Sequence, residues 1–296
     1  MEQSRTQQES ARRIGPFRLI TRLDPPRSVL PCRRFVARTE DGEHTVLLTT
    51  PLPGTDPARF AAEAEAARFL LGPWIAPVTG VAGPGEAPWS ASPYLPALPL
   101  PVALAVHGGP LPESTVRAVG TTLAEALATA HGQGLTHAGV SPAAVLLTAD
   151  GPRLTCFGAV RAASADGEPR RGLPGLDPGS LAPEQASGGR PRPPGDVFAL
   201  GAVLAYAATG HTVPERDELP SALRPVIASC LARDPADRPT AAALMTALAP
   251  PATHGTVLNP GGSLLSPGWL PGRVVAALAR QSSELLAAEL PAPARV

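Results

Sequence analysis

The chain has 296 residues, enough for one large domain or a pair of lobes with a sizeable core. Hydrophobic residues make up 44% and charged residues 17%, which excludes a disordered chain. The 25 Lys+Arg are matched by 25 Asp+Glu, which excludes the basic surplus that draws proteins to nucleic acid or anionic lipid.

Residues 1–13 are polar and read as a disordered N-terminus rather than a signal peptide. Strand patterns follow at 17–20, 34–38 and 45–48, with Glu40-Asp41-Gly42 as a hairpin turn. The loop between the first two strands, Leu23 to Pro31, holds three prolines and no glycine. Asp56-Pro57 is a helix start signal, and Arg59 to Leu71 has helical period and propensity. Trp89 to Leu95 reads as a strand running into a linker, and Ser114 to Gln133 as a long helix with Val116, Val119, Leu123, Leu127 and Ala130 on its apolar face.

The stretch from His131 to Gly158 is the centre of the chain. Gly134 breaks the helix, Ser141-Pro142 marks a turn, and Val145-Leu146-Leu147 and Arg153-Leu154-Thr155 form a hairpin through Asp150-Gly151. The Gly/Pro/Arg-rich segment up to Ser180 predicts little order. Then come Ala182-Pro183-Glu184, a buried helix opening with Asp196-Val197-Phe198-Ala199-Leu200-Gly201 and stopping at Gly210, and helices at Leu223–Leu231 and Thr240–Leu248. Between those last two lies Asp234-Pro235-Ala236-Asp237-Arg238-Pro239-Thr240. Residues 251–270 read as a linker, and 271–296 as a C-terminal amphipathic helix and tail, with Val274, Val275, Leu278, Leu285 and Leu286 on one side. That helix is either an interaction element or packed back on the body of the protein.

The hairpin with a loop at each end, Ala-Pro-Glu, Asp-Val-Phe-Ala-Leu-Gly and Asp-Arg-Pro-Thr, in this order and spacing, resemble the eukaryotic-type protein kinase family in its bacterial serine/threonine branch. The resemblance implies an α+β, two-lobed protein-kinase-like fold, with a β-rich N-lobe over 14–95 and a mainly α C-lobe over 96–250. It also exposes what is missing. Gly139 stands where the family has its catalytic Asp, Ser141 its loop Lys, Ala144 its metal-binding Asn, and Cys156 the Asp of Asp-Phe-Gly. The third strand ends on Thr49 instead of the phosphate-holding Lys; the sequence has no Lys anywhere, so this does not depend on alignment. Leu47 stands where a small Ala makes room for adenine.

Other positions keep residues that brace the fold. By the resemblance His137, Phe157, Gly158 and Asp196 join the two loops to the buried helix, His137 bonding to backbone near Asp196, while Glu184 and Arg238 form a buried bidentate bridge. Glu63 takes the place of the family's ion-pairing Glu, and without a Lys partner it is expected, like Glu65, to be a solvated charge. Pro93 C=O and Leu95 N–H are the hinge candidates for an adenine edge.

The implied function is a pseudokinase: a regulatory or scaffolding module binding a protein partner, such as another kinase or a regulatory target. It carries no metal site, no cofactor, and no nucleic-acid or membrane interaction. The alternative is a weakly active serine/threonine kinase that still binds ATP and Mg²⁺. It would neutralise phosphate with the arginines of a basic N-lobe, Arg12, Arg13, Arg18, Arg22, Arg27, Arg33 and Arg34. Cys32, Cys156 and Cys230 lack metal-ligand spacing and suit a reducing cytoplasm, with Cys156 expected to be a small inert substitute.

Overall fold

The computed structural model describes residues 13–26, 28–215, 217–249, 265 and 268–287. The expectations of a disordered 1–13 and a linker over 251–270 fall almost wholly outside those residues.

The N-terminal half folds as an antiparallel sheet of β1 (Arg13–Ile14), β2 (Phe17–Arg22), β3 (Cys32–Thr39), β4 (Thr45–Pro51), β5 (Gly80–Val81) and β6 (Ser90–Pro93), in the order β1-β2-β3-β4-β6-β5. Strand alternation sends Phe17, Ala37, Val46, Leu48 and Ala91 to one face, where Trp89 meets Phe17 edge-on at 5.2 Å. Cys32, Arg34 and Val36 alternate with more exposed neighbours on β3 and point the other way, toward the rest of the molecule. Helix α1 (Pro57–Ala67) starts where expected: Asp56 accepts from the N–H groups of Ala58 and Arg59, and Pro57 sits in the first turn. It stops four residues before the predicted end, because Leu70 turns inward to pack with Trp74 and Ile75 ahead of Gly72-Pro73.

The second half is mainly helical. A small sheet of β7 (Ala97–Pro99), β8 (Val145–Thr148) and β9 (Gly151–Leu154) sits between the large sheet and α2 (Leu100–His107), α3 (Glu113–Gly132), α4 (Ala159–Ala163), α5 (Pro183–Ala186), α6 (Pro193–Thr209), α7 (Arg224–Cys230), α8 (Ala241–Leu248) and α9 (Gly272–Ala287). The core is the contact of α3, α6, α7 and α8 through Leu123, Leu127, Leu200, Leu204, Ile227 and Leu244. Helix α3 needs Gly120 there, because a Cβ would lie 2.6 Å from Leu248 and 2.9 Å from Leu204. The result is a β-rich lobe plus a helical lobe, the α+β architecture implied by the sequence.

Helix α9 packs against α2 and the inter-lobe linker. Val274, Ala277 and Leu278 are buried, Arg273 donates to His107 O, and Gln281 accepts from the Ala97 N–H. Of the five residues expected on its apolar side, Val275 and Leu286 face solvent instead (47% and 82% exposed). The buried stripe follows the helical period through 274, 277, 278 and 281, and Leu285 continues it onto the cluster around Leu47.

The segment between α4 and α5, expected to have little order, is built around Arg170. This side chain is fully buried and donates to the carbonyls of Gln185 and Gly189 and to Asp166. Composition rich in Gly and Pro signals turns, and here the turns are collected by the two Nη groups of one buried guanidinium, whose Nε has no hydrogen-bond partner.

Candidate functional site

The two loops that flank the β8–β9 hairpin are held by Asp196 in the first turn of α6. Its carboxylate accepts the His137 and Ala138 N–H groups, both at 2.7 Å, and lies 2.9 Å from His131 Nε2. Ala138 takes a left-handed φ of 51° to present that N–H, a conformation costing an alanine about 1 kcal/mol. His137 is placed differently from its expected role. Its backbone makes the bond to Asp196, while both ring nitrogens are buried without a hydrogen-bond partner. The ring packs edge-on against Phe157 at 5.6 Å, and burial pushes its pKa down to about 4, so it is neutral at physiological pH. It is His131, in the last turn of α3, that sequence reasoning missed as an Asp196 partner.

Glu184 and Arg238 form a bidentate pair at 2.7 and 2.8 Å. Arg238 also donates to the carbonyls of Ala232, Pro194 and Arg233 and lies over the Phe198 ring. The arginine is buried, but Glu184 is 32% exposed, so the bridge is at the surface on one side.

The loop at 137–144 and the loop at 155–158 are pressed together. A Cβ on Gly139 would collide with the Cys156 carbonyl oxygen, so any side chain here, Asp included, would force the loops apart. Thr155 closes the gap at Ala144, donating to its carbonyl through both N–H (2.9 Å) and Oγ1 (2.7 Å). Cys156 adopts a left-handed φ of 63°, and Gly158, at φ 73°, sits against the Glu63 side chain. Ser141 is buried beside this turn, and Thr49, paired in register with Arg34, lines the cleft opposite Cys156.

Glu63 is not a solvated charge. It receives Arg161 of α4 through Nε at 2.8 and 2.9 Å and Nη2 at 2.7 Å, while Arg161 also donates to Thr136 O and covers the Phe157 ring. The cation that replaces the absent Lys comes from the other lobe.

The group that sequence reasoning missed is Arg34. Assigned to a basic lobe surface, it is in fact fully buried in the cleft. Its guanidinium binds Asp24 through Nε at 2.9 Å and Nη2 at 2.5 Å, and crosses to the helical lobe through Nη2 to Ala143 O (2.8 Å) and Nη1 to Thr155 Oγ1 (2.9 Å). Burial opposes the charge, but the hydrogen-bonded Asp24 carboxylate outweighs it and the net pKa shift of Arg34 is upward. Asp24, in the glycine-free loop between the first two strands, is turned inward to this role. The signal that could have found Arg34 is its place between Cys32 and Val36 on the inward face of a period-2 strand.

Next to Arg34, the sulfurs of Cys32 and Cys156 lie 3.5 Å apart. Cys156 is therefore not an isolated substitute. The hydrogen bond from Cys32, followed by the charge of Arg34, brings its pKa down to about 7, while that of Cys32 is raised. Leu23, Val36 and Leu47 of the sheet lobe pack directly on Leu146 of the hairpin, so the apolar floor and roof of the cleft touch. The space that remains, lined by Cys32, Thr49, Glu63, His137, Cys156 and Phe157, is a cavity of about 70 Å³. A small-molecule site has roughly 300–1,000 Å³. At the hinge, the Tyr94 N–H is bound to Thr45 O, Pro93 is exposed, and Leu95 is 43% exposed. Among the described residues no group of three His, Cys, Asp or Glu side chains could hold a metal ion.

No family model matches the chain. It is 33% identical over 290 residues to the serine/threonine-protein kinase AfsK of Streptomyces coelicolor, covering 90% of this chain and 35% of that protein. It is 34% identical over 257 residues to the probable serine/threonine-protein kinase PkwA of Thermomonospora curvata, with 80% and 34% covered. PknK of Mycobacterium tuberculosis is 35% identical over 224 residues, 67% of this chain and 20% of that one. The chain thus spans about a third or less of the length of these curated relatives. Among solved structures, the Mycobacterium tuberculosis PknI kinase domain superimposes with a TM-score of 0.63 at 24% identity, covering 80% of this chain and 95% of that domain.

Proposed function

Since the chain belongs by homology with the bacterial serine/threonine-protein kinases and has the protein-kinase fold, we propose that it is a pseudokinase, a protein-binding module that transfers no phosphate. The observation that carries this reading is the Arg34–Asp24 pair inside the cleft. Phosphoryl transfer relies on positioning and on cations that neutralise phosphate, with metal held by carboxylate and amide groups. Gly139, Ser141, Ala144, Cys156 and Thr49 offer none of these groups. The guanidinium of Arg34 is bound to Asp24, Ala143 and Thr155, and that of Arg161 to Glu63. For a triphosphate to enter, it would have to displace a buried carboxylate from a buried arginine and separate Leu47 from Leu146.

A broad apolar groove on the outer side of the same loop supports the protein-binding half of the reading. It is lined by Pro25, Val29, Pro101, Val102, Tyr206 and Val213, with a volume of about 770 Å³. Three free cysteines suit a reducing cytoplasm, and no described helix is long and apolar enough to cross a membrane.

The second reading, a weakly active serine/threonine kinase, is favoured by the relatives, which are named as kinases. A thermal-shift titration with ATP and Mg²⁺ separates the two. Binding to the folded state at a hundredfold excess over Kd would add ~2.7 kcal/mol. We expect no shift of the midpoint and no transfer of labelled γ-phosphate to the chain or to a generic protein substrate. A saturable shift together with autophosphorylation establishes the second reading instead.

A further inference from the structure

We propose that Cys32 and Cys156 form an oxidative modification site, a thiol pair that a peroxide converts into a disulfide joining the two lobes. The sulfurs face each other at 3.5 Å from strand β3 of the sheet lobe and from the loop after β9 of the helical lobe, 124 residues apart in sequence. A disulfide bond is about 2.0 Å long, so closing it asks for a movement of about 1.5 Å between side chains that already point at one another. Both line the inter-lobe cavity, and Cys156 is only partly buried, which leaves a path for a molecule as small as hydrogen peroxide.

The surroundings favour attack by the thiolate, the reactive form. Arg34 lies beside both sulfurs, Thr155 Oγ1 is 3.5 Å from the Cys156 sulfur, and the thiol of Cys32 hydrogen-bonds it, so Cys156 is the member that ionises. Cys230 is the internal contrast: fully buried between α6 and α7, with its pKa pushed up to about 12, it has neither a partner sulfur nor access.

The chemistry balances with peroxide as the oxidant. The Cys156 thiolate attacks one peroxide oxygen, the O–O bond breaks, and the departing hydroxide takes up the proton released by Cys156 to leave as water. The Cys32 sulfur then attacks the sulfenic sulfur of Cys156. The S–S bond forms, the S–O bond breaks, and the second hydroxide leaves as water with the Cys32 proton. The two thiols together lose two electrons and two protons. Reduction by a dithiol reverses the bond. The product braces the cleft covalently beside the Arg34 contacts, and the proposal does not depend on whether the chain transfers phosphate.

The test uses the full chain, reduced, treated with stoichiometric hydrogen peroxide and then blocked with an alkylating agent. The expected result is a fall from three titratable thiols to one, a Cys32–Cys156 linked peptide in the digest, and a higher melting midpoint that a dithiol returns to its starting value. Cys230→Ser should fall from two thiols to none with the same linked peptide. Cys32→Ser should give no intramolecular link. The first measurement needs no variant, so a misfolded substitution does not cloud it. Thiol loss without that peptide, a link through Cys230, or a linked chain that melts lower than the reduced one would each overturn the proposal.

Discussion

The base of the helical lobe and the cleft between the lobes are both built from buried charge, yet they use it in opposite ways. Around Asp196 and Arg238, charged groups tie loops to helices, and the residues are those that the family resemblance names. In the cleft, the fully buried charged groups are a pair, Asp24 and Arg34, that no motif announces. They lie between the lobes, where Arg34 also bonds Ala143 and Thr155 of the helical lobe. One region carries the residues that the resemblance names; the other holds a buried ion pair that the resemblance does not name. The Ala143 carbonyl that faces the cleft is satisfied by Arg34, and that of Ala144 by Thr155.

The contrast can be broken most forcefully at Arg34. Arg34→Met should leave Asp24 buried without a partner and lower stability by about 3–5 kcal/mol, read by urea denaturation. The double variant Asp24→Leu with Arg34→Met should recover most of that loss, because two apolar groups need no pairing. If the single change costs nothing, the pair is not the filling of the cleft.

The next largest effect is a pH dependence on the braced side. His137 has a folded pKa of about 4 against 6.5 for a free imidazole, so between those values the unfolded chain binds more protons and stability rises with pH. The stability is complete above pH 6.5 and is lost as pH falls, by about 3 kcal/mol on reaching pH 4. His137→Leu should remove that slope while staying folded, since the ring nitrogens have no hydrogen bond to lose. An unchanged slope would put the titrating group elsewhere.

The smallest effect lies where the two regions meet. Glu63→Gln keeps the shape but weakens the pair with Arg161, whose side chains are 19% and 27% exposed. Solvent screening limits the loss to about 1 kcal/mol, measurable as a shift in melting midpoint that shrinks at high salt.

How much of this was readable in the sequence follows from the range of each interaction. The β8–β9 hairpin, the Asp56-Pro57 helix start and the stop at Gly210 are local, and a few adjacent residues determine them. Ala182-Pro183-Glu184 and Asp234 to Thr240 were legible because whole motifs survive. The Arg161–Glu63 pair, 98 residues apart, and the Cys32–Cys156 pair, 124 apart, have no local signature. With no Lys to expect at the end of β4, nothing in the sequence said which cation would answer Glu63. Arg34 was hidden for a different reason: it stands among Arg33, Arg38 and other basic residues, and an arginine looks like surface until strand phase is counted.

The four bonds made by Arg34 also bear on motion. Its fork grips Asp24 on its own lobe and Ala143 and Thr155 on the other, so the halves cannot rock about the hinge without breaking the two bonds that cross between them. Opening and unfolding thereby become nearly the same event. Slowly exchanging amides in β3 and β8 should be released together, at one denaturant concentration, in place of the sheet lobe loosening first.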